Sequence, residues 1–222
     1  MNQPPNFNRL ARLYRWMELV SFGSALGWCR CAFLLEMTRC QRALILGDGD
    51  GRFTARLLSV NSTVRVDAVD ASSAMLNELL RRAGSHAERV CSHLADARIW
   101  QPPSVDSPYD LIVTHFFLDC FTTEEVAKLA SRLRKAASPS VMWVVSEFDL
   151  PEGWFGSLVA RPLVSVLYGA FGWMTGLRVR TLPEYRASLS GAGFFLQERK
   201  QRLGGLLVSE LWSVNPFDSV LS

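Results

Sequence analysis

Short apolar runs alternate with segments of helical periodicity along most of the chain. Ala43 to Leu46 is a continuous apolar run, which is typical of a parallel strand buried on both faces. Apolar residues then recur at helical spacing in the next segment, and Val64 to Val69 forms a second apolar run that ends at Asp70. This alternation predicts an α/β fold with a doubly wound, mostly parallel sheet.

The same periodicity predicts seven strands and two well-marked helix boundaries. Gly84 ends the helix that follows the second strand, and Thr122 with Glu125 forms a capping box at the start of a later helix. The predicted strands are Ala43 to Leu46, Val64 to Val69, Val90 to Leu94, Tyr109 to Thr114, Val141 to Glu147, Phe194 to Glu198 and Leu206 to Trp212.

Two apolar regions stand outside this alternation. Helical spacing predicts helices over residues 8–20 and Leu26 to Met37, and we expect residues 1–38 to form a helical lid over a binding cleft. Residues 154–177 approach the length of a membrane span. Arg161 and Pro162 lie near the middle of that stretch, so we favour a helical insertion at 151–180 that covers the substrate side. All of these parts are expected to belong to one domain, residues 1–222.

Composition limits the classes of protein that fit this pattern. A chain of 222 residues suits one domain, and a net charge of +3 from scattered residues does not favour nucleic acid as a partner. The five cysteines and three histidines show no metal-ligand spacing, so we expect reduced thiols and no metal. No secretory signal is recognisable at the N-terminus, which predicts a cytoplasmic protein.

The chemistry of the chain centres on the glycines that follow the first strand. Gly47, Gly49 and Gly51 allow a tight turn and the close approach of a ligand to the backbone. Arg52 occupies the place of the third glycine in a dinucleotide fingerprint, which disfavours an NAD(P)-dependent oxidoreductase without removing it as an alternative. A P-loop would need Lys-Ser/Thr after its last glycine, and a calcium loop would need carboxylates at Leu46 and Leu57. The chain has neither, so both of these sites are excluded. Asp70 ends the second strand, where a carboxylate can accept hydrogen bonds from both hydroxyls of a ribose.

The G-x-G-x-G turn and the segment from Asp70 to Leu76, DASSAML, resemble the class I S-adenosylmethionine (SAM) methyltransferases. The resemblance implies a Rossmann-like sheet of seven strands closed by an antiparallel hairpin, with SAM as cofactor and S-adenosylhomocysteine as product. The cofactor-binding residues that it implies in this part of the chain are Gly47, Asp48, Gly49, Gly51, Asp70, Ala71, Ser72, Met75, Asp96, Ala97, Thr114 and His115.

The N-terminal segment resembles one branch of that family more narrowly, the C-methyltransferases of ubiquinone and menaquinone biosynthesis. This resemblance implies that Tyr14 lies over the SAM pocket. The chain departs from the family at Ile45, where an acidic residue is frequent, and Asp48 and Asp50 are the nearest carboxylates that could compensate. The residues that match the branch are Phe7, Ala11, Tyr14, Met17, Ser21, Phe22, Gly23, Trp28 and Arg30.

The resemblance predicts transfer of a methyl group to a small acceptor. His115 is the histidine nearest to the expected methyl and is the candidate catalytic base, with a structural role as the competing interpretation. A SAM-binding protein without transferase activity is the alternative function. Many aromatic residues favour an aromatic or lipophilic acceptor, and with it a peripheral contact with a membrane. The oligomeric state stays open. The aromatic residues are Trp16, Phe116, Phe117, Trp154, Phe155, Tyr168 and Trp173.

Overall fold

The computed structural model describes residues 24–103, 108–149 and 183–215. The predicted helix at 8–20, Tyr14 and the apolar segment 154–177 lie outside the described residues, so the predicted lid and insertion stay predictions. The helices are α1 (Ser24–Cys31), α2 (Arg52–Val60), α3 (Ser73–Ala83), α4 (Thr123–Ala136) and α5 (Tyr185–Gly191). The strands are β1 (Arg42–Leu46), β2 (Arg65–Asp70), β3 (Val90–Leu94), β4 (Tyr109–His115), β5 (Ala137–Phe148), β6 (Phe195–Arg202) and β7 (Leu207–Ser213).

The seven strands form one sheet in the order β3-β2-β1-β4-β5-β7-β6. The first five strands are parallel to one another, while β7 runs antiparallel to both β5 and β6. The strand order reverses between β1 and β4, and the carboxyl ends of these strands are where a doubly wound sheet binds ligands. The predicted doubly wound, Rossmann-like sheet with its closing antiparallel hairpin is confirmed.

Apolar side chains cover both faces of the central strands. Ala43 to Leu46 are each exposed by 1% or less, as the continuous apolar run predicted. Phe53 and Leu79 bring α2 and α3 onto one face, whereas Leu129 brings α4 onto the other. Successive side chains of β1, β2 and β4 therefore point alternately into these two layers.

Sequence periodicity placed most elements correctly, including the capping box. The Thr122 hydroxyl accepts a hydrogen bond from the Glu125 amide (3.3 Å), and the Glu125 carboxylate accepts one from the Thr122 amide (2.8 Å). The prediction was wrong for the helix at Leu26 to Met37, because α1 ends at Cys31 and a separate 3-10 turn covers Glu36–Arg39. At this end the Cys29 carbonyl accepts hydrogen bonds from the Ala32 amide (3.2 Å), only three residues further on, and from two serine hydroxyls of the sheet.

The strand β6 is longer than its apolar pattern predicted. It continues to Arg202 through a polar segment, since one of its sides is the exposed edge of the sheet and needs no apolar residues. No helix in the described ranges is both long enough and apolar enough to cross a membrane.

Candidate active site

The carboxyl ends of β1, β2, β4 and β5 meet at one edge of the sheet. The glycine turn follows β1, Asp70 ends β2, His115 ends β4 and Glu147 lies at the end of β5. Register places Leu46 beside Val69 and Thr114, so residues distant in sequence line one short edge.

The three glycines of the turn serve different purposes. All have positive φ angles, +68° at Gly47, +60° at Gly49 and +78° at Gly51, which L side chains adopt only with strain. A Cβ on Gly47 would lie 2.1 Å from the ring of Phe117, and one on Gly51 would lie 2.5 Å from the Leu79 backbone. A Cβ on Gly49 would meet no described atom within 4 Å. Internal packing therefore requires Gly47 and Gly51, while the described residues leave space beside Gly49.

Asp48 bonds to the first turn of α2 through only one of its two carboxylate oxygens. Its Oδ2 accepts hydrogen bonds from the Thr54 amide (2.8 Å) and hydroxyl (2.6 Å). Its Oδ1 is buried and has no partner among the described residues. Asp50 instead pairs with Arg52 and Arg82, each at 3.0 Å. Of the two carboxylates near Ile45, Asp48 is thus the one available to a ligand.

Asp70 ends β2 with its carboxyl group largely removed from water. Its Oδ1 accepts a hydrogen bond from the Ser72 amide (2.8 Å). Burial, with a contribution from the charge of Asp48, raises the pKa of Asp70 to about 6. A pair of hydroxyl donors would stabilise the ionised form and lower that pKa.

Several other predicted cofactor-binding residues are engaged within the protein. The Ser72 hydroxyl caps α3 by accepting from the Met75 amide (3.3 Å), and the Thr114 hydroxyl accepts from Trp143 Nε1 (3.0 Å). Asp96 pairs with Arg98. The Ala97 carbonyl accepts a hydrogen bond from Arg132, Ala71 is exposed and Met75 is half-buried. Thr114 is fully buried. The binding roles of this group stay predictions.

His115 is a buried imidazole at the end of β4. It is 3% exposed and meets the ring of Phe53 edge-on, with 4.6 Å between the ring centroids. Neither ring nitrogen has a hydrogen-bond partner among the described residues. Burial, assisted by the charge of Arg30, holds the pKa of His115 well below 6.5. The imidazole is therefore neutral at pH 7, with one donor and one acceptor nitrogen to offer a ligand.

The residue that follows His115 has a strained backbone. Phe116 has a φ angle of +52°, which typically costs about 1–3 kcal/mol outside glycine. Its ring is held between Phe148, at a centroid distance of 5.2 Å, and the guanidinium of Arg30, at 5.4 Å. These contacts fix the direction in which the chain leaves β4.

Sequence patterns missed Glu147, which organises the same loop. This residue is 2% exposed, and its Oε1 accepts hydrogen bonds from the amides of Phe117 (3.1 Å) and Leu118 (2.8 Å). Its Oε2 is buried without a partner in the described part of the chain. Burial and the nearby Asp119 raise the pKa of Glu147 well above its usual range. The available signal was an acidic residue next to the end of a strand whose central residues, from Val141 to Val145, are apolar.

Comparisons with known proteins match part of the chain to one family model and most of it to solved folds. Residues 44–142 match a family model described as a methyltransferase domain. A comparison with curated protein sequences gives no match. The matched region contains the glycine turn, Asp70 and His115, while Glu147 and α1 lie beyond it.

Solved structures share the fold at low sequence identity. An O-methyltransferase family protein from Burkholderia thailandensis has a TM-score of 0.70 and 11% identity over 96% of this chain and 62% of its own. The SAM-dependent methyltransferase SibL has a TM-score of 0.66 and 20% identity over 97% of this chain and 63% of its own. The N-methyltransferase NodS from Bradyrhizobium japonicum has a TM-score of 0.56 and 16% identity over 86% of this chain and 97% of its own. This chain thus spans less than two thirds of the first two proteins, and the three likenesses show the fold alone.

Proposed function

We propose that the protein is a SAM-dependent methyltransferase that acts on a small aromatic or lipophilic acceptor. The observation that carries this proposal is the convergence of three features at one edge of the sheet: the Gly49 backbone, Asp70, and the His115 nitrogens, which have no partner among the described residues. All three lie within the region that matches the methyltransferase family model.

The residues at this edge suit the polar parts of SAM. Asp70 would accept hydrogen bonds from the ribose hydroxyls, and Gly49 would allow the cofactor to approach the backbone. Asp48 Oδ1, which has no partner in the described ranges, would accept a hydrogen bond from the amino group of the methionine part. This bond would offset the absence of an acid at Ile45. The bound sulfonium supplies an electrophilic methyl group, and alignment of the acceptor with it would provide most of the rate acceleration.

His115 would take a proton from the acceptor only if a negative charge forms beside the ring. Protonation of its ring creates a buried cation close to the charge of Arg30, which is unfavourable unless an anion forms beside it. Removal of a proton from an acceptor hydroxyl satisfies this condition, because the resulting oxyanion would pair with the imidazolium. An acceptor that is already nucleophilic would need only a hydrogen bond from the neutral ring.

The narrower resemblance to quinone-type C-methyltransferases is retained as part of the proposal. Its support in the described residues is Arg30, which contacts Phe116 next to His115. A lipophilic acceptor, or a membrane surface that presents one, would fit the aromatic residues of this loop. A SAM-binding protein without transferase activity is the second candidate, favoured by the apolar Ile45 in place of the usual acid.

Calorimetric titration with SAM tests the cofactor. We expect binding by the parent, and a loss of about 1–3 kcal/mol in Asp70→Ala, the range for leaving polar partners unpaired. Glu124→Gln is the matched control, because Glu124 is an exposed carboxylate on α4 that pairs with Lys128. A parent protein that does not bind SAM would overturn the proposal.

Incubation with methyl-labelled SAM and a cell extract then separates the two candidates. Label transferred to a small molecule supports the methyltransferase, and His115→Gln should slow transfer by a larger factor than it weakens SAM binding. Binding of SAM with no labelled product in any extract fraction would favour the protein without transferase activity.

A further inference from the structure

Three potential metal ligands lie together on the edge strand of the sheet and the strand beside it. Asp67, Cys91 and His93 each offer one ligand atom, and these atoms all lie within 4.8 Å of one another. Sequence spacing did not reveal them, because Asp67 comes from β2 while Cys91 and His93 come from β3. The cluster is separate from the candidate active site, since Asp67 precedes Asp70 by three residues, or about 10 Å of strand.

The register of the sheet explains why these side chains share one face. Asp67 pairs with Cys91 across the parallel ladder, and His93 pairs with Val69 two residues further along. Side chains two residues apart point to the same face of a sheet. Cys91 is exposed and His93 is half-buried, because β3 forms the edge of the sheet. An ion from solvent can therefore reach both residues without a change of fold.

Asp67 is held in an orientation that suits a metal ligand. Its Oδ2 accepts hydrogen bonds from Tyr109 Oη (2.9 Å) and Arg42 Nη2 (3.0 Å). These two bonds direct the other oxygen, Oδ1, at His93 Nε2, 2.8 Å away. Trp100 packs against the imidazole with 5.4 Å between the ring centroids. Metal sites commonly fix their ligands through such outer hydrogen bonds and packing.

We propose that Asp67, Cys91 and His93 bind a divalent transition metal ion of the zinc class. Thiolate, imidazole and carboxylate are the three side-chain ligands of Zn²⁺, and three protein ligands leave the fourth tetrahedral position open to water. Bond lengths of about 2.0–2.2 Å would separate the oxygen and nitrogen by about 3.3 Å. The Asp67 oxygen and the His93 nitrogen lie 2.8 Å apart in the structure, so a small rotation of His93 would admit the ion. Cys91 would bind as a thiolate and release its proton to water.

The charges around the cluster permit this ion. The Cys91 thiolate and the Asp67 carboxylate together balance a divalent cation, while Arg42 keeps its hydrogen bond to the other carboxylate oxygen. The positive charge of Arg42 weakens affinity, so the site would favour an ion that gains from thiolate and imidazole ligands over Mg²⁺ or Ca²⁺, which prefer oxygen ligands only.

The test is titration of the full chain with Zn²⁺ in competition with a chromophoric chelator, followed by substitution with Co²⁺. We expect one ion per chain and a thiolate-to-cobalt charge-transfer band. Cys91→Ser and His93→Ala should each weaken binding by at least roughly tenfold, since even the loss of a hydrogen-bond partner of a metal ligand costs about 10–100-fold. Both positions are accessible to solvent, so we expect both variants to fold, which circular dichroism would check.

Two control variants separate this cluster from the other thiols and imidazoles. Cys31→Ser changes a half-buried cysteine on α1, and His86→Ala changes an exposed histidine after α3; both should bind zinc as the parent does. Failure of the parent to bind one equivalent would overturn the site. So would a charge-transfer band that survives in Cys91→Ser, because the cobalt would then lie on another thiol.

Discussion

The two halves of the carboxyl edge satisfy their polar groups in different ways. The ends of β1 and β2 form the half that we propose holds the cofactor, here called the cofactor half. Each of its acids bonds to backbone within six residues of itself, Asp48 to Thr54 and Asp70 to Ser72, and one oxygen, Asp48 Oδ1, is partnerless among the described residues. The ends of β4 and β5 form the proposed acceptor half, in which three atoms are partnerless among the described residues: both ring nitrogens of His115 and one oxygen of Glu147.

This difference follows from how each half is built. Short-range bonds position the cofactor half, so a local motif is enough to specify it. The acceptor half depends on contacts between β4, β5 and α1, which lie far apart in sequence. Buried polar atoms without partners are uncommon and costly in folded proteins. Among the described residues they are more numerous in the acceptor half, where we propose that a ligand completes the surface.

The largest effect is expected at Gly51, where the cofactor half meets the core. Gly51→Val places a branched side chain at a φ of +78° and against the Leu79 backbone. Strain and overpacking together should lower the free energy of unfolding by about 3–5 kcal/mol, measured by chemical denaturation. Gly49→Ala is the control, because its Cβ meets no described atom within 4 Å and the left-handed backbone alone should cost about 1–2 kcal/mol. Equal losses in both variants would contradict this assignment.

Sequence predicted the sheet well because burial on two faces leaves a strong pattern. Ala43 to Leu46 form an unbroken apolar run, and β1 is that run with one residue added at Arg42. The ends of α1 and β6 were misplaced for physical reasons. Serine hydroxyls from the distant strands β5 and β7 bond to Cys29 at the end of α1, and an edge strand such as β6 carries polar residues without penalty.

The candidate site was predictable only where local motifs specify it. The glycine turn and Asp70 follow from spacing within one βα unit and its neighbour. Glu147 was missed, because its partners are amides that follow another strand, and Thr114 could not be recognised as a partner of Trp143. The cluster of Asp67, Cys91 and His93 was missed for the same reason, since strand register rather than sequence spacing brings it together.

A smaller effect is expected from Glu147, which supports the acceptor half. Glu147→Leu leaves the amides of Phe117 and Leu118 without their acceptor, which should lower the free energy of unfolding by about 2–3 kcal/mol. Glu147→Gln keeps an acceptor oxygen and should lose less. Urea denaturation of both variants checks this order, and a Gln variant as unstable as the Leu variant would contradict it.

The pH dependence of the same pair tests the charge of Glu147. Its pKa in the folded protein lies well above 4.5, so the folded state holds a proton that the unfolded state releases as pH rises from 4.5. The free energy of unfolding of the parent should therefore fall with rising pH in that window, relative to Glu147→Gln, by up to about 1.4 kcal/mol per pH unit. Parallel stability curves would show that the carboxyl group is ionised in the fold.

The smallest effect is expected in the pH dependence of SAM affinity, which tests the ionisation of Asp70 in the cofactor half. The pKa of Asp70 in the free protein is about 6, and hydroxyl donors from a bound ribose favour the carboxylate. SAM affinity should thus be constant above pH 7 and fall by roughly tenfold by pH 5, as one proton must be lost on binding. Calorimetry across this range measures the slope. Asp70→Asn cannot ionise and should bind weakly at every pH; a variant that kept the parent's slope would assign the titration to another group, with the buried Asp48 as the nearest carboxyl.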